Sequence, residues 1–184
     1  MPTYHSVFKQ NSYNKACDFP LIPFHNGKKP DLDPKKLKKL DPSIDIVDEA
    51  IMYFRANVLF KNFKIQSDAD KTIIYLMVFI SKCLSSIYDI YTDSKKCKEI
   101  LNNLIVECSW AESMKSHFLN TILNINQEQI EDLKKYLKTL REETVNRLYY
   151  ILFQNEGCEL YIKYWMGFAK LNFLGYEMPQ IKKY

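Results

Sequence analysis

From Ile73 to Ile80 the chain runs eight apolar residues without a break, and Cys83, Leu84, Ile87, Tyr88, Ile90 and Tyr91 prolong the pattern. A strand would normally end sooner, and Ser67 with Asp70 three residues on lies close to a helix capping box. At about 3.6 residues per turn, such a run covers every side of a helical cylinder. A helix that is apolar all round is either a membrane span or the buried centre of a globule. A bilayer needs about 20 mainly apolar residues, and Lys71, Lys82 and Asp89 bracket a shorter run here. The pattern therefore predicts a core helix that the other elements surround, with no membrane insertion.

The flanking segments read as its cover. Val47, Ala50, Ile51, Phe54 and Val58 repeat at the spacing of one buried stripe, predicting a helix that begins at Asp45. Asp45, Asp48 and Glu49 put negative charge in its first turn, where the helix dipole favours it. Leu59, Phe60 and Phe63 widen the stripe before Gln66-Ser67 turns the chain. A third helix fits Ser94 to about Cys108, with Cys97, Ile100, Leu101, Leu104 and Ile105 inward. From Ser109 to Asn124 the periodicity weakens, although Trp110, Met114, Phe118, Ile122 and Leu123 still call for burial. Asn126 and Gln129 read as a capping box ahead of a clear amphipathic stripe, Ile130, Leu133, Leu137, Leu140, Thr144, Leu148 and Ile151. The opposite face, with Glu131, Lys134, Lys135, Lys138, Glu142 and Glu143, reads as wet surface, and Gly157 as the stop. An aromatic-rich last helix is expected from Leu160 to Leu174, ended by Gly175, before a tail with Pro179, Lys182 and Lys183. The expected fold is all-α, about five helices with one apolar helix enclosed by the rest.

Six of the seven prolines stand at or before Pro42, so the N-terminal quarter is expected to be irregular. Residues 1–25 end in FPLIPF and read as an extended arm laid over the body. Residues 26–43, NGKKPDLDPKKLKKLDPS, carry six lysines against three aspartates, most of the net +4 of the 184-residue chain. The division expected is 1–43, arm and basic linker packed on the body, and 44–184, one helical domain. The balanced charge falls short of a dedicated nucleic-acid binder. MPTYHSVF lacks the apolar core of a signal peptide. Five scattered cysteines (Cys17, Cys83, Cys97, Cys108, Cys158), without a CxxC, read as reduced thiols of a cytosolic or other reducing compartment.

Catalytic chemistry finds little support in the sequence, and an enzyme would need a pocket that gathers His5, His25 or His117 with a carboxylate. His5, His25 and His117 stand in no metal-ligand spacing, and no GxGxxG, GxxxxGK[ST] or GxSxG occurs, so neither metal nor cofactor is expected. The paired carboxylates Asp45/Asp48 and Glu142/Glu143 are read as capping and solvated groups. The candidate surface is C-terminal: Tyr161, Lys163, Trp165, Phe168, Lys170 and Phe173, beside Tyr164 and Leu171. Aromatics inside a lysine rim suit a protein interface, and the competing use is to cover Ile73 to Ile80. Lys35, Lys36, Lys38 and Lys39 are either a solvated linker or an electrostatic contact for an acidic partner. A different class of reading is a free-standing basic-aromatic module for nucleic acid or anionic membrane.

Several stretches carry a family likeness: MPTYHS, PLIPF, DIVDEAIMYFRANVLFKNFKI, DADKTIIYLMVFISKCL, YLKTLREETVNRLYYILF and KYWMGFAKLNFL. In this order they resemble subunit 3 of the actin-related protein 2/3 complex, and DIVDEA followed by YFRANVLFKNF is the most specific part. The chain departs from that pattern before the fourth helix, where SMKSHFLN replaces a Pro/Gly-rich loop, and Tyr164-Trp165 stands for a double Trp. PKKLKKL and GYEMPQIKKY have no counterpart in it. The resemblance implies an all-α fold with one enclosed helix. It implies a non-enzymatic subunit of the cytoplasmic actin cytoskeleton, docked on the actin-related protein 3 subunit among the other subunits of the complex. It further implies a place near the actin mother filament, supporting nucleation and branching, with any nucleotide held by the actin-like subunits.

Overall fold

The long apolar run folds as its pattern requires. In the computed structural model, which describes residues 3–9, 12–59, 62–106, 128–154 and 158–171, it forms part of helix α3, Asp68–Ile87. Ser67 is its N-cap residue, and the Asp70 carboxylate reaches back to the Ser67 backbone N–H at 3.3 Å. Every residue from Thr72 to Leu84 is buried, Lys82 included. Ile74, Met77 and Phe79 point in different directions around the cylinder and are all fully buried, as a surrounded helix demands.

Its cover comes from α2 (Ile46–Asn57), α4 (Ser94–Val106), α5 (Ile130–Tyr149) and α6 (Cys158–Met166), each in contact with α3. Asp45 caps α2 as expected, its side chain accepting from the backbone N–H groups of Val47 and Asp48. The helix ends at Asn57, so Leu59 leaves the stripe and is exposed. Cys97, Leu101, Leu104 and Ile105 of α4 face inward. At its last turn Arg141 closes the helix from outside, donating through Nε and Nη2 to the Ile105 carbonyl at 3.1 and 2.9 Å and through Nη1 to the Tyr75 hydroxyl at 2.8 Å. A cation beside terminal carbonyls complements the helix dipole. The all-α expectation holds. Among the described residues the sheet structure is one two-stranded ribbon.

Helix α5 departs from its expected start and finish. Gln129 occupies the N-cap position without a side-chain capping bond, because its amide oxygen accepts instead from the Cys17 N–H at 2.9 Å. At the other end α5 runs into a π-helical turn, Tyr150–Gln154. The last helix stops at Met166, well short of Leu174. Expectations placed on Phe60, Cys108, the 109–125 segment, Asn126, Gly157, Phe173, Gly175 and the tail lie outside the described residues.

The N-terminal quarter is less open than its prolines suggested. Lys15–Ala16 (β1) and Phe19–Pro20 (β2) pair antiparallel, Ala16 opposite Phe19. The two residues between them, Cys17 and Asp18, take φ of 53° and 61°, the left-handed geometry of a tight two-residue hairpin. Pro20 is tolerated because a two-stranded ribbon has only edges. Inside the lysine-rich stretch, Pro34–Lys38 form a single-turn helix α1, capped by Asp33 with Pro34 at its start and Leu37 buried. A hydrophobic anchor thus interrupts what read as a plain linker.

Truncating Phe79 to Ala is expected to cost about 3–5 kcal/mol, the range for a large buried aromatic. Urea denaturation of the two proteins checks it, and equal midpoints would place α3 at the periphery.

Candidate interaction surfaces and the buried network that positions them

The acids of α2 serve a purpose that periodicity did not reveal. Outside the β1–β2 ribbon the described part of the arm joins no sheet, so its remaining backbone donors need other acceptors. Carboxylates on three helices supply them. Glu49 accepts from the Val7 N–H and the Ser6 hydroxyl, both at 2.7 Å, and Asp70 accepts from the Ser6 N–H at 2.8 Å. Asp45 takes the His25 N–H at 2.9 Å, Glu143 the Gly27 N–H at 2.7 Å, and Asp48 the Asp31 N–H at 3.2 Å. At the arm's start, Asn57 and the Tyr4 backbone exchange two bonds at 3.0 and 2.8 Å. Gly27 adopts φ of 69°, which turns its N–H towards Glu143.

Arg147 closes this network from α5. Its side chain is fully buried and contacts the carboxylates of Asp45 (2.6 and 2.8 Å), Asp48 (2.8 Å) and Glu143 (2.7 Å), and it donates to the His25 carbonyl at 2.6 Å. Lys28 adds a further cation, 2.5 Å from Asp48. Glu143 was read from the sequence as wet surface, and Asp45/Asp48 as capping and solvated groups. All three are buried. The signal available was the i, i+4 pairing of Glu143 with Arg147 on the inward half of α5, beside Thr144 and Leu148.

The charges part according to their partners. Burial alone would raise the Asp45 carboxyl, but the bidentate guanidinium and two backbone donors hold it below the usual carboxylate range. For Asp48 burial wins over Lys28 and Arg147, and its pKa is raised. Burial would lower the Arg147 pKa, but Asp45, Asp48 and Glu143 raise it. Among the described residues no cation pairs with Glu49. Burial, aided by the Asp70 charge, pushes it up to about 7 against the bonds from Val7 and Ser6.

The surface candidates separate once the helices are in place. Trp165 is 2 % exposed and stacks on Phe54, ring centres 5.9 Å apart and planes within 11°. Ile162, Met166 and Ala169 share that inward face, and Phe168 is half-buried against the Tyr164 ring. Tyr161 (47 %) and Tyr164 (52 %) face outward with Lys163, beside Leu160 at 77 %, which sequence reasoning missed. Arg55 of α2 lies 5.1 Å from the Tyr164 ring centre, and the exposed Lys170 lies 4.7 Å from that of Tyr88. Phe173 is outside the described residues. Lys35, Lys38 and Lys39 are exposed around α1, while Lys36 pairs with Asp31 at 2.7 Å. The α1 lysines and the α6 aromatics belong to separate elements.

Among the described residues no group of three or more histidine, cysteine or acidic side chains is arranged to hold a metal ion. No described helix is long and apolar enough to cross a membrane. Fold and surfaces together define a helical protein organised around a buried charge network, with aromatic and lysine-bearing faces outward. A family model described as P21-Arc, ARP2/3 complex ARPC3 (21 kDa) subunit, matches residues 1–178, and the chain belongs to that family. It is similar to actin-related protein 2/3 complex subunit 3 of Arabidopsis thaliana, 36 % identical over 173 residues that cover 93 % of this chain and 96 % of the relative. The like-named protein of Entamoeba histolytica is 33 % identical over 175 residues, covering 93 % and 89 %. That of Saccharomyces cerevisiae is 28 % identical over 180 residues, covering 95 % and 98 %.

Two outcomes follow from the network. Arg147→Met should destabilise the fold by about 3–5 kcal/mol, because buried Asp45 and Glu143 lose the guanidinium and Asp48 keeps only Lys28; chemical denaturation at neutral pH measures it. Glu49 titrates near 7 when folded and near 4.5 when free, so the folded chain binds the extra proton between these values. Its contribution to stability is therefore fully present below about 4.5 and is lost as pH rises through about 7. Denaturation midpoints taken across that window should fall less steeply for Glu49→Gln than for the parent.

Proposed function

We propose that the chain is a non-catalytic structural subunit of an actin-related protein 2/3 complex in the cytoplasmic actin cytoskeleton. There it supports filament nucleation and branching by docking on the actin-related protein 3 subunit and helping contact the mother filament. The observation that carries this reading is the family match across residues 1–178, together with relatives named as subunit 3 of that complex and aligned over nearly their whole length. The chemistry of the surface agrees with a positional role. Tyr161 and Tyr164 form an outward aromatic face that Leu160 extends, with Lys163 at its edge. Aromatic anchors within a charged rim are the ordinary anatomy of a stable interface.

On this reading the α6 face, Tyr161 and Lys163 with the outer edge of Phe168 and Lys170, meets the neighbouring actin-like subunit. Trp165 supports it from beneath through Phe54. The exposed Lys35, Lys38 and Lys39 face an acidic filament, with Lys36 reaching it only on release from Asp31. A mutant series separates these roles. Tyr161→Ala should keep its circular dichroism spectrum and lose on the order of 2 kcal/mol of affinity for the complex in co-purification. Trp165→Ala should instead lower the melting temperature. Full retention in the complex by Tyr161→Ala and Tyr164→Ala together would remove α6 as the docking face. Reversal of Lys35, Lys38 and Lys39 to Glu should reduce branch density at low salt, an effect muted near 0.1 M salt where screening acts over about 10 Å.

A further inference from the structure

One cleft gathers cations without gathering acids among the described residues. It is a cavity of about 260 Å³ bounded by the loop after Gly27, by α4 and by the π-helical end of α5, and among the described residues none that lines it is acidic. Lys28 lines it but is already held by Asp48 at 2.5 Å and by the Ser43 carbonyl. Lys29 and Lys98 are in a different state. Their partners among the described residues are aromatic rings: the Lys29 ammonium stands 5.4 Å from the centre of Tyr150, and the Lys98 ammonium 5.4 Å from the centre of Tyr149. Consecutive tyrosines at the start of the π-helical turn thus hold two lysines from separate elements at one mouth. Turns of this kind are frequent at functional sites.

A ring steadies an ammonium group but accepts little from its three donors, which stay available to an incoming oxygen. Two cations brought to one cleft also repel each other, and an anion lying between them relieves that repulsion. The Asn102 and Asn146 carboxamides at the same wall add neutral donors. Two point charges with amides around them match an anion carrying more than one charge and several acceptor oxygens better than a single carboxylate. The volume lies just below the roughly 300–1,000 Å³ of drug-sized pockets, which suits a compact headgroup. We propose that the cleft between Lys29 and Lys98 binds a compact, multiply phosphorylated anion, either free or as the headgroup of a lipid.

The test titrates the full chain with inositol hexakisphosphate by calorimetry. A parallel arm sediments the chain with phosphatidylcholine vesicles, with and without a phosphorylated inositol lipid. Saturable binding is expected, weakened on the order of tenfold by Lys29→Gln and again by Lys98→Gln, the scale of one charge-assisted hydrogen bond each. Lys64→Gln, at an exposed lysine outside the cleft, should leave it unchanged. Sedimentation only with the phosphorylated lipid, sensitive to the same two substitutions, assigns the lipid source; binding confined to the calorimetric arm assigns the free anion. Absence of saturable binding in both arms overturns the site. So does an equal loss in Lys64→Gln and in the double variant, since that reports general charge. Melting temperatures of the variants, expected to match the parent because both ammonium groups project from the surface, exclude unfolding as the cause.

Discussion

A fully buried guanidinium sets the terms for the rest of this molecule. An ion taken out of water costs several kcal/mol even after relaxation, and it is tolerated only where its donors find well-placed acceptors. Arg147 meets that condition with three carboxylates and a carbonyl drawn from α2, from its own helix and from the arm. None of these elements can shift without uncovering a charge. The network therefore acts as a register pin between α5 and α2, with the His25 turn locked against both. Asp45 serves twice, as the N-cap of α2 and as the bidentate partner of Arg147.

The same economy governs the arm. An irregular segment crossing a hydrophobic body would leave its N–H groups unpaired, a cost of about 1–3 kcal/mol for each one buried. Here acids projecting from α2, α3 and α5 stand in for the missing neighbouring strand. Glu49 carries the electrostatic burden of this arrangement, since among the described residues it meets two donors but no cation and lies near Asp70. Its raised proton affinity is the consequence.

With arm and helices pinned, what remains outward is narrow and definite. One face of α6 is consumed by Phe54 and the core, which leaves Leu160, Tyr161, Lys163 and Tyr164 outside. The π-helical end of α5 adds a second feature, a cleft where two lysines rest on consecutive rings.

Much of the fold was legible in the sequence because helical periodicity is a local property. The apolar run of α3, the Asp45 cap, and the inward stripes of α2, α4 and α5 each follow from residues within a few turns of one another. The stretch DIVDEA followed by YFRANVLFKNF likewise carried the family likeness. Charge partnership was not legible in the same way. Whether Glu143 faces water or the Gly27 backbone, and whether Asp48 or Glu49 merely caps a helix or holds a backbone from the arm, depends on chain segments roughly 17 to 116 positions away. The division of the last helix between core and surface was decided by Phe54 packing beneath Trp165. Local pattern fixes which side chains share a face; only the packing of distant segments decides what that face meets, because a charge or a ring takes its state from its neighbours in space.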